Sequence, residues 1–151
     1  MPTVVHVGPI SSPGGIQTVI GTLSSNPPDG WTLETIESHS SGSYLSKLQA
    51  YNNAKKRLEE LANQNNDGLI VHLHAASDYS FLRKLRLAEH AHRHGGKIVF
   101  HIHSGNIVSW LGKKDRAKKL KQRLENCKAT IACLSERWKE LITPFLGKCI
   151  V

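Results

Sequence analysis

Short, continuous apolar runs separated by stretches of helical period constrain this chain more than any other feature. The runs are Val4-Val-His-Val7, Leu69-Ile-Val-His-Leu73, the four residues from Ile98, and Ala129-Thr-Ile-Ala-Cys-Leu134. Strands that do not alternate apolar with polar are buried on both faces, which is the habit of parallel sheets. Between them, Tyr44 to Ala62, Phe81 to Ala91 and Ile107 to Leu124 carry apolar residues at helical spacing, with charged residues on the opposite side. Strand and helix in turn predict an α/β fold, a doubly wound parallel sheet of Rossmann-like type covered on both faces. At 151 residues the chain fits one domain, spanning 1–151, with a single core.

The remaining strand and helices are placed by punctuation. Gly8-Pro9 stops the first run, and Pro9 to Gly15 forms a loop before Ile16, Val19, Ile20 and Leu23 fall on one helical face. Trp31 to Ile36 is expected as the second strand. In the helix from Tyr44, Leu48, Tyr51, Leu58 and Leu61 are expected to point inward, and the polar run 63–68 ends it. Gly95-Gly96 closes the next helix as a C-cap. Ser135 is a plausible N-cap for a last helix that Pro144 ends or kinks, and Gly147 to Val151 opens a further strand.

In such sheets ligands bind beyond the carboxyl ends of the strands, where Gly14, Gly15, His74, His103 and Ser135 all fall. The stretch Lys97 to Asn106 is the most informative. Positions i and i+2 of a strand share a face, so His101 and His103 point one way as the strand runs out into Ser104-Gly105. Leu69 to His74 repeats the pattern with a second H-x-H ending. Buried imidazoles are costly without partners or a task. Gly14-Gly15 opens a helix whose free N–H groups suit a phosphate or carboxylate, although no G-x-G-x-x-G fingerprint is present.

The formal charge of +8 and a pI near 9.6 favour anionic partners. Much of the excess lies in Arg83 to Arg93 and Lys113 to Arg123. The second segment carries a Trp110, Ala117, Leu120, Leu124 stripe beside its lysines, so Trp110, Lys113, Lys114, Lys118 and Lys121 form a candidate patch for an anionic membrane surface. Aromatic residues are not interleaved with the basic ones, which disfavours nucleic acid. No apolar run approaches the roughly 20 residues of a membrane span, and Met1-Pro-Thr has no signal-peptide character. The three cysteines fit free thiols in a reducing, cytoplasmic setting, with peripheral attachment at the inner membrane face if the patch docks.

Taken in order, P-x-x-S-x-P-G-G-I at Pro9 to Ile16, the H-x-H end running to Ala75-Ala-Ser77, Phe100-His-Ile-His-Ser-Gly105, and Ala132-Cys-Leu-Ser135 followed by Trp138 resemble the N-terminal half of a retaining GT-B glycosyltransferase of family 4. The resemblance implies that Gly14 and Gly15 approach the donor diphosphate, and that His103 hydrogen-bonds the transferred sugar and settles charge at its anomeric centre. His74, Ser77 and Ser135 would line the acceptor side, with His101 mainly structural. It implies transfer from a nucleotide-sugar donor to a saccharide or lipid-linked acceptor, with no metal and no cofactor. A second, C-terminal domain would grip the donor; it has no counterpart in this sequence, so the chain is expected to be a fragment inactive alone. Two other readings stand beside it: a stand-alone α/β binding module, and a zinc-dependent hydrolase using the two H-x-H ends, with Asp78 the one nearby acid.

Overall fold

Each apolar run of the sequence becomes a strand, and all the strands run parallel. The structure, a computed structural model, describes residues 1–65 and 68–151. In chain order the elements are β1 (Thr3–Gly8), α1 (Gly15–Ser24), β2 (Thr32–Glu37), α2 (Tyr44–Gln64), β3 (Leu69–Ala75) and α3 (Asp78–Arg93). There follow β4 (Lys97–Ile102), α4 (Ile107–Leu111), α5 (Arg116–Asn126), β5 (Thr130–Cys133), α6 (Glu136–Leu146) and β6 (Cys149–Ile150). One six-stranded sheet has the order β2-β1-β3-β4-β5-β6, the Rossmann-like doubly wound arrangement that the alternation predicts.

Register divides the sheet into two unlike faces. Val7, Leu73, Phe100 and Ile131 are paired in one row, with Val5 and Val71 in another, and all point to the same side. There they join Leu58 of α2, Phe81 of α3, Trp110 of α4, Leu124 of α5 and Ile142 of α6 in one core cluster. Phe81 packs its ring, tilted, against both Phe100 and Trp110, at 4.8 and 5.1 Å between ring centroids. Burying each such side chain contributes about 2–3 kcal/mol, so this face holds the fold together. The opposite face carries Val4, His6, Ile70, His72, His74, Val99 and His101, with α1 lying over its β1 end. Gly8 makes that approach work: a Cβ there would meet Ile20 Cδ1 at 2.5 Å.

Several boundaries differ from expectation. The helix expected over Ile107 to Leu124 is split in two, because Asp115 adopts the left-handed conformation (φ 45°). Arg116 then folds back, donating to the Trp110 carbonyl at 2.7 Å and lying over the indole ring. Leu48, expected inward, is exposed. Pro144 lies inside α6, which continues to Leu146. Gly95 does close α3, with φ 93°, while Gly96 N–H donates to the Ala91 carbonyl. Of the polar run 63–68, positions 66 and 67 lie outside the described residues. Among the described residues no helix is long and apolar enough to cross a membrane.

Candidate functional site

The strand order reverses between β1 and β3, and the chain leaves these two neighbours toward opposite faces. The β1 chain turns into α1 over the histidine face, and the β3 chain turns into α3 over the apolar face. Such a reversal opens a crevice beyond the carboxyl ends of the two strands. A cleft of about 720 Å³ lies there, with Pro9 and Ile16 on the β1 side and Ala76 and Ser77 on the β3 side. The β1–α1 loop is fixed by Glu37 at the end of β2, whose Oε2 accepts from Ile10 N–H, Ser11 N–H and Ser11 Oγ–H at 2.8–3.0 Å. Gly14 and Gly15 open α1 with no atom near the place a Cβ would take, so their backbone is open to a ligand.

Five of the nine histidines line the second face of the sheet. His6 Nδ1 faces His74 Nε2 at 3.1 Å, and His74 Nδ1 faces His103 Nε2 at 3.0 Å, making a line of three. A shorter line joins His72 Nε2 to His101 Nδ1 at 3.1 Å. A neutral imidazole has one donor and one acceptor nitrogen, so tautomers along a line are coupled. If His6 donates from Nδ1, His74 and His103 must carry their protons on Nδ1 as well, which leaves the last N–H for a ligand. Burial, and then the neighbouring imidazoles, hold His72 and His103 down to about 3, and push His74 lower still. His6 and His101 are lowered by burial too. The set is therefore neutral at pH 7, and His103 acts through a hydrogen bond and a dipole, not a charge.

The expected site residues are brought together unequally. His74 and His103 are in direct contact, and His101 shares the face of His103, ring centroids 4.1 Å apart. Ser77 precedes α3, lines the cleft and donates to Asp78 at 3.0 Å. Ser135 accepts from Trp138 N–H at 3.4 Å, so its hydroxyl is occupied as the α6 cap that the sequence suggested. Lys113, Lys114 and Lys118 are exposed, and Lys121 is half-buried. Trp110 is a correction: at 7 % exposure it sits in the core against Phe81 and cannot serve a surface patch. Its place on the apolar stripe signalled the core as much as a membrane. All three cysteines are free and buried.

Sequence reasoning missed the basic side of the cleft. His39, Lys47, Arg83 and Lys84 all line it, and Lys84 is only 1 % exposed. Its burial, with Arg83 beside it, brings the ammonium down to about 7 although Glu37 acts in the other direction. His39 is lowered by burial and then by Arg83, Lys47 and Lys84, while Arg83 is lowered by burial. One signal was present in the sequence. Lys84 falls three residues after Phe81 and four before Ala88, on the apolar stripe of α3, where a solvated lysine has no place.

Set against protein-family models, curated proteins and solved structures, the chain matches none of them.

Proposed function

We propose that the chain is the acceptor-side domain of a retaining glycosyltransferase that moves a sugar from a nucleotide-sugar donor to a saccharide or lipid-linked acceptor. One observation carries the reading: His74 and His103 are in contact beside Gly8, where the β1 chain leaves the sheet toward the Gly14-Gly15 turn. β1, β3 and β4 are adjacent and parallel, a Cβ at Gly8 would lie 3.4 Å from His74 Cβ, and His74 in turn reaches His103. An open α1 N-terminus and a neutral imidazole at the strand end, whose outer nitrogen donates when His6 donates from Nδ1, suit a diphosphate next to a sugar ring in which positive charge develops. The donor's other contacts would come from a second domain. Exposed Lys113, Lys114 and Lys118 support a lipid-linked acceptor at an anionic surface, and salt-sensitive binding to anionic vesicles checks that part.

The test uses the full-length protein that carries this chain. It is expected to consume a UDP- or GDP-hexose, and His103→Ala is expected to lower kcat about 10²–10³-fold with little change in donor KM. Equal rates for variant and wild type, or no consumption of any nucleotide sugar, would discard the reading.

A second reading, a zinc-dependent hydrolase, is favoured by one observation. The ligand atoms of His74, His101 and His103, and those of His6, His72 and His74, lie within 4.8 Å of one another. Nitrogens around a tetrahedral zinc are ~3.3 Å apart, only slightly more than the imidazole contacts here. Stoichiometric zinc in protein purified without an affinity tag supports this reading; metal-free, folded protein removes it.

A further inference from the structure

A lysine almost wholly withdrawn from water normally has a carboxylate partner, because burying an ammonium alone is costly. Lys84 makes no hydrogen bond or ion pair with any of the described residues, and it lines the cleft at the switch point. The acid that acts on it, Glu37, is already turned to the β1–α1 loop, where it accepts three hydrogen bonds. Two nitrogens on the wall, on side chains that are only half-buried, also lack a partner. Arg83 Nε and His39 Nδ1 are enclosed without a hydrogen-bond partner among the described residues. Lys47 adds a third cation, against one lining carboxylate, Asp78, which accepts from Ser77. Asp78 itself starts α3 in the left-handed conformation, φ 57°, a strained backbone state of the kind that collects at binding sites.

We infer that this cleft binds the phosphate group of a small phosphorylated sugar, with Lys84 and Arg83 as its principal ligands and Lys47 and His39 at its side. A phosphate offers several acceptor oxygens at once. That matches a point charge on Lys84 together with the planar fork of Arg83. Each would form a charge-assisted hydrogen bond in a site with little competing water. Tyr44 and Tyr79 stand at the mouth of the cleft, 78 % and 85 % exposed, and offer ring faces on which the apolar side of a sugar can rest. The open volume of about 720 Å³ accepts a hexose phosphate comfortably. This inference rests on the cleft's own unpaired donors and does not require sugar transfer to be the reaction.

The experiment titrates the chain at low salt with inorganic phosphate and with glucose 1-phosphate, following amide shifts and heats of binding. Both are expected to bind, glucose 1-phosphate about tenfold more tightly because of the tyrosine contacts. Lys84→Met should weaken both by about 10–100-fold, and Arg83→Gln by about tenfold or more. Lys114→Met, on the exposed basic face, should leave both unchanged. Lys84→Met is expected to keep its fold, and thermal unfolding of the variant checks this, so that a loss of binding is told apart from collapse. Absence of binding by wild type at millimolar concentrations would overturn the inference, and so would equal binding by Lys84→Met. Binding to phosphatidic acid vesicles with neither soluble phosphate recognised would overturn the assignment to a small molecule. No nucleotide sugar is present in these titrations, so a failure to turn over donor leaves their outcome untouched.

Discussion

The molecule buries basic groups in two places and satisfies them in opposite ways. On the sheet face, His6, His74 and His103 answer one another: each nitrogen contact in the line can be a donor meeting an acceptor, and every ring is neutral. At the carboxyl edge, Lys84 is buried just as thoroughly as His74 but has no hydrogen-bond or ion-pair partner among the described residues. A neutral imidazole can be hidden because a second imidazole completes it. The arginine and lysine around the ammonium cannot complete it, since both are cations, and His39 Nδ1 makes no hydrogen bond to it. The histidine line thus closes on itself except at its two ends, on His6 and His103, whereas the lysine site is open and asks for an anion from outside.

The largest effect expected from this contrast is at the centre of the histidine line. His74→Ala removes a fully buried ring and leaves both His6 and His103 without their contact, so it should cost about 4 kcal/mol of stability. Urea unfolding measures it. A cost below about 1 kcal/mol would mean that the line does not hold the rim together, and that the two buried basic regions are less different than they look.

Lys84→Met should act with the opposite sign. The folded chain holds Lys84 at about 7, against an ordinary lysine value in the unfolded chain, so between these limits the unfolded state binds more protons. Wild-type stability therefore rises as the pH is raised from about 7 toward the ordinary lysine range, and the full burial penalty is present below 7. The methionine variant lacks this term. It should be more stable than wild type by roughly 2 kcal/mol at pH 6, with the advantage shrinking as the pH rises through that window. The groups that share this field are Glu37, His39, Lys47 and Arg83, and all are unchanged in the variant. Unfolding curves at pH 6 and pH 9 decide it; an advantage that grows with pH, or a loss of stability at pH 6, would show that Lys84 is paired in solution. A variant that gains stability while losing phosphate is the pattern of a residue kept for binding.

What could be read from the chain follows the same division. Strand order is not written in any single residue, yet the apolar runs at Val4, Leu69 and Ile98 and the helical stripe through Phe81, Leu85 and Ala88 fixed the parallel α/β layout, because burial on both faces leaves few alternatives. The shared orientation of His101 and His103 followed from a period of two. Three things did not follow. His6 sits in an apolar run like any strand residue, and only register with His72 brings it to the line. The break at Asp115 depends on Arg116 returning to Trp110, a contact that no periodicity reports. The basic cleft joins Lys47 of α2, His39 of the β2–α2 loop and Arg83 of α3, residues scattered along the sequence that meet only at the reversal of strand order. Lys84 alone announced itself, as a cation on an apolar stripe.

The smallest effect separates the two histidine lines from each other. His101 belongs to the shorter one: its Nδ1 meets His72, but its Nε2 is enclosed with no partner among the described residues. Replacing it by leucine removes one unsatisfied nitrogen and strands another on His72, which is half-buried and can turn to water. These changes oppose each other, so His101→Leu should lie within about 1 kcal/mol of wild type, compared under the same urea conditions as His74→Ala. If instead the two variants cost the same, the lines form one cooperative unit of five rings, and removing any ring would loosen His103. Amide exchange at His103, whose N–H donates to the Ala75 carbonyl at 2.8 Å, reads the difference directly. It should quicken in His74→Ala and stay at the wild-type rate in His101→Leu, because only the first variant removes the ring that holds the rim histidine in place.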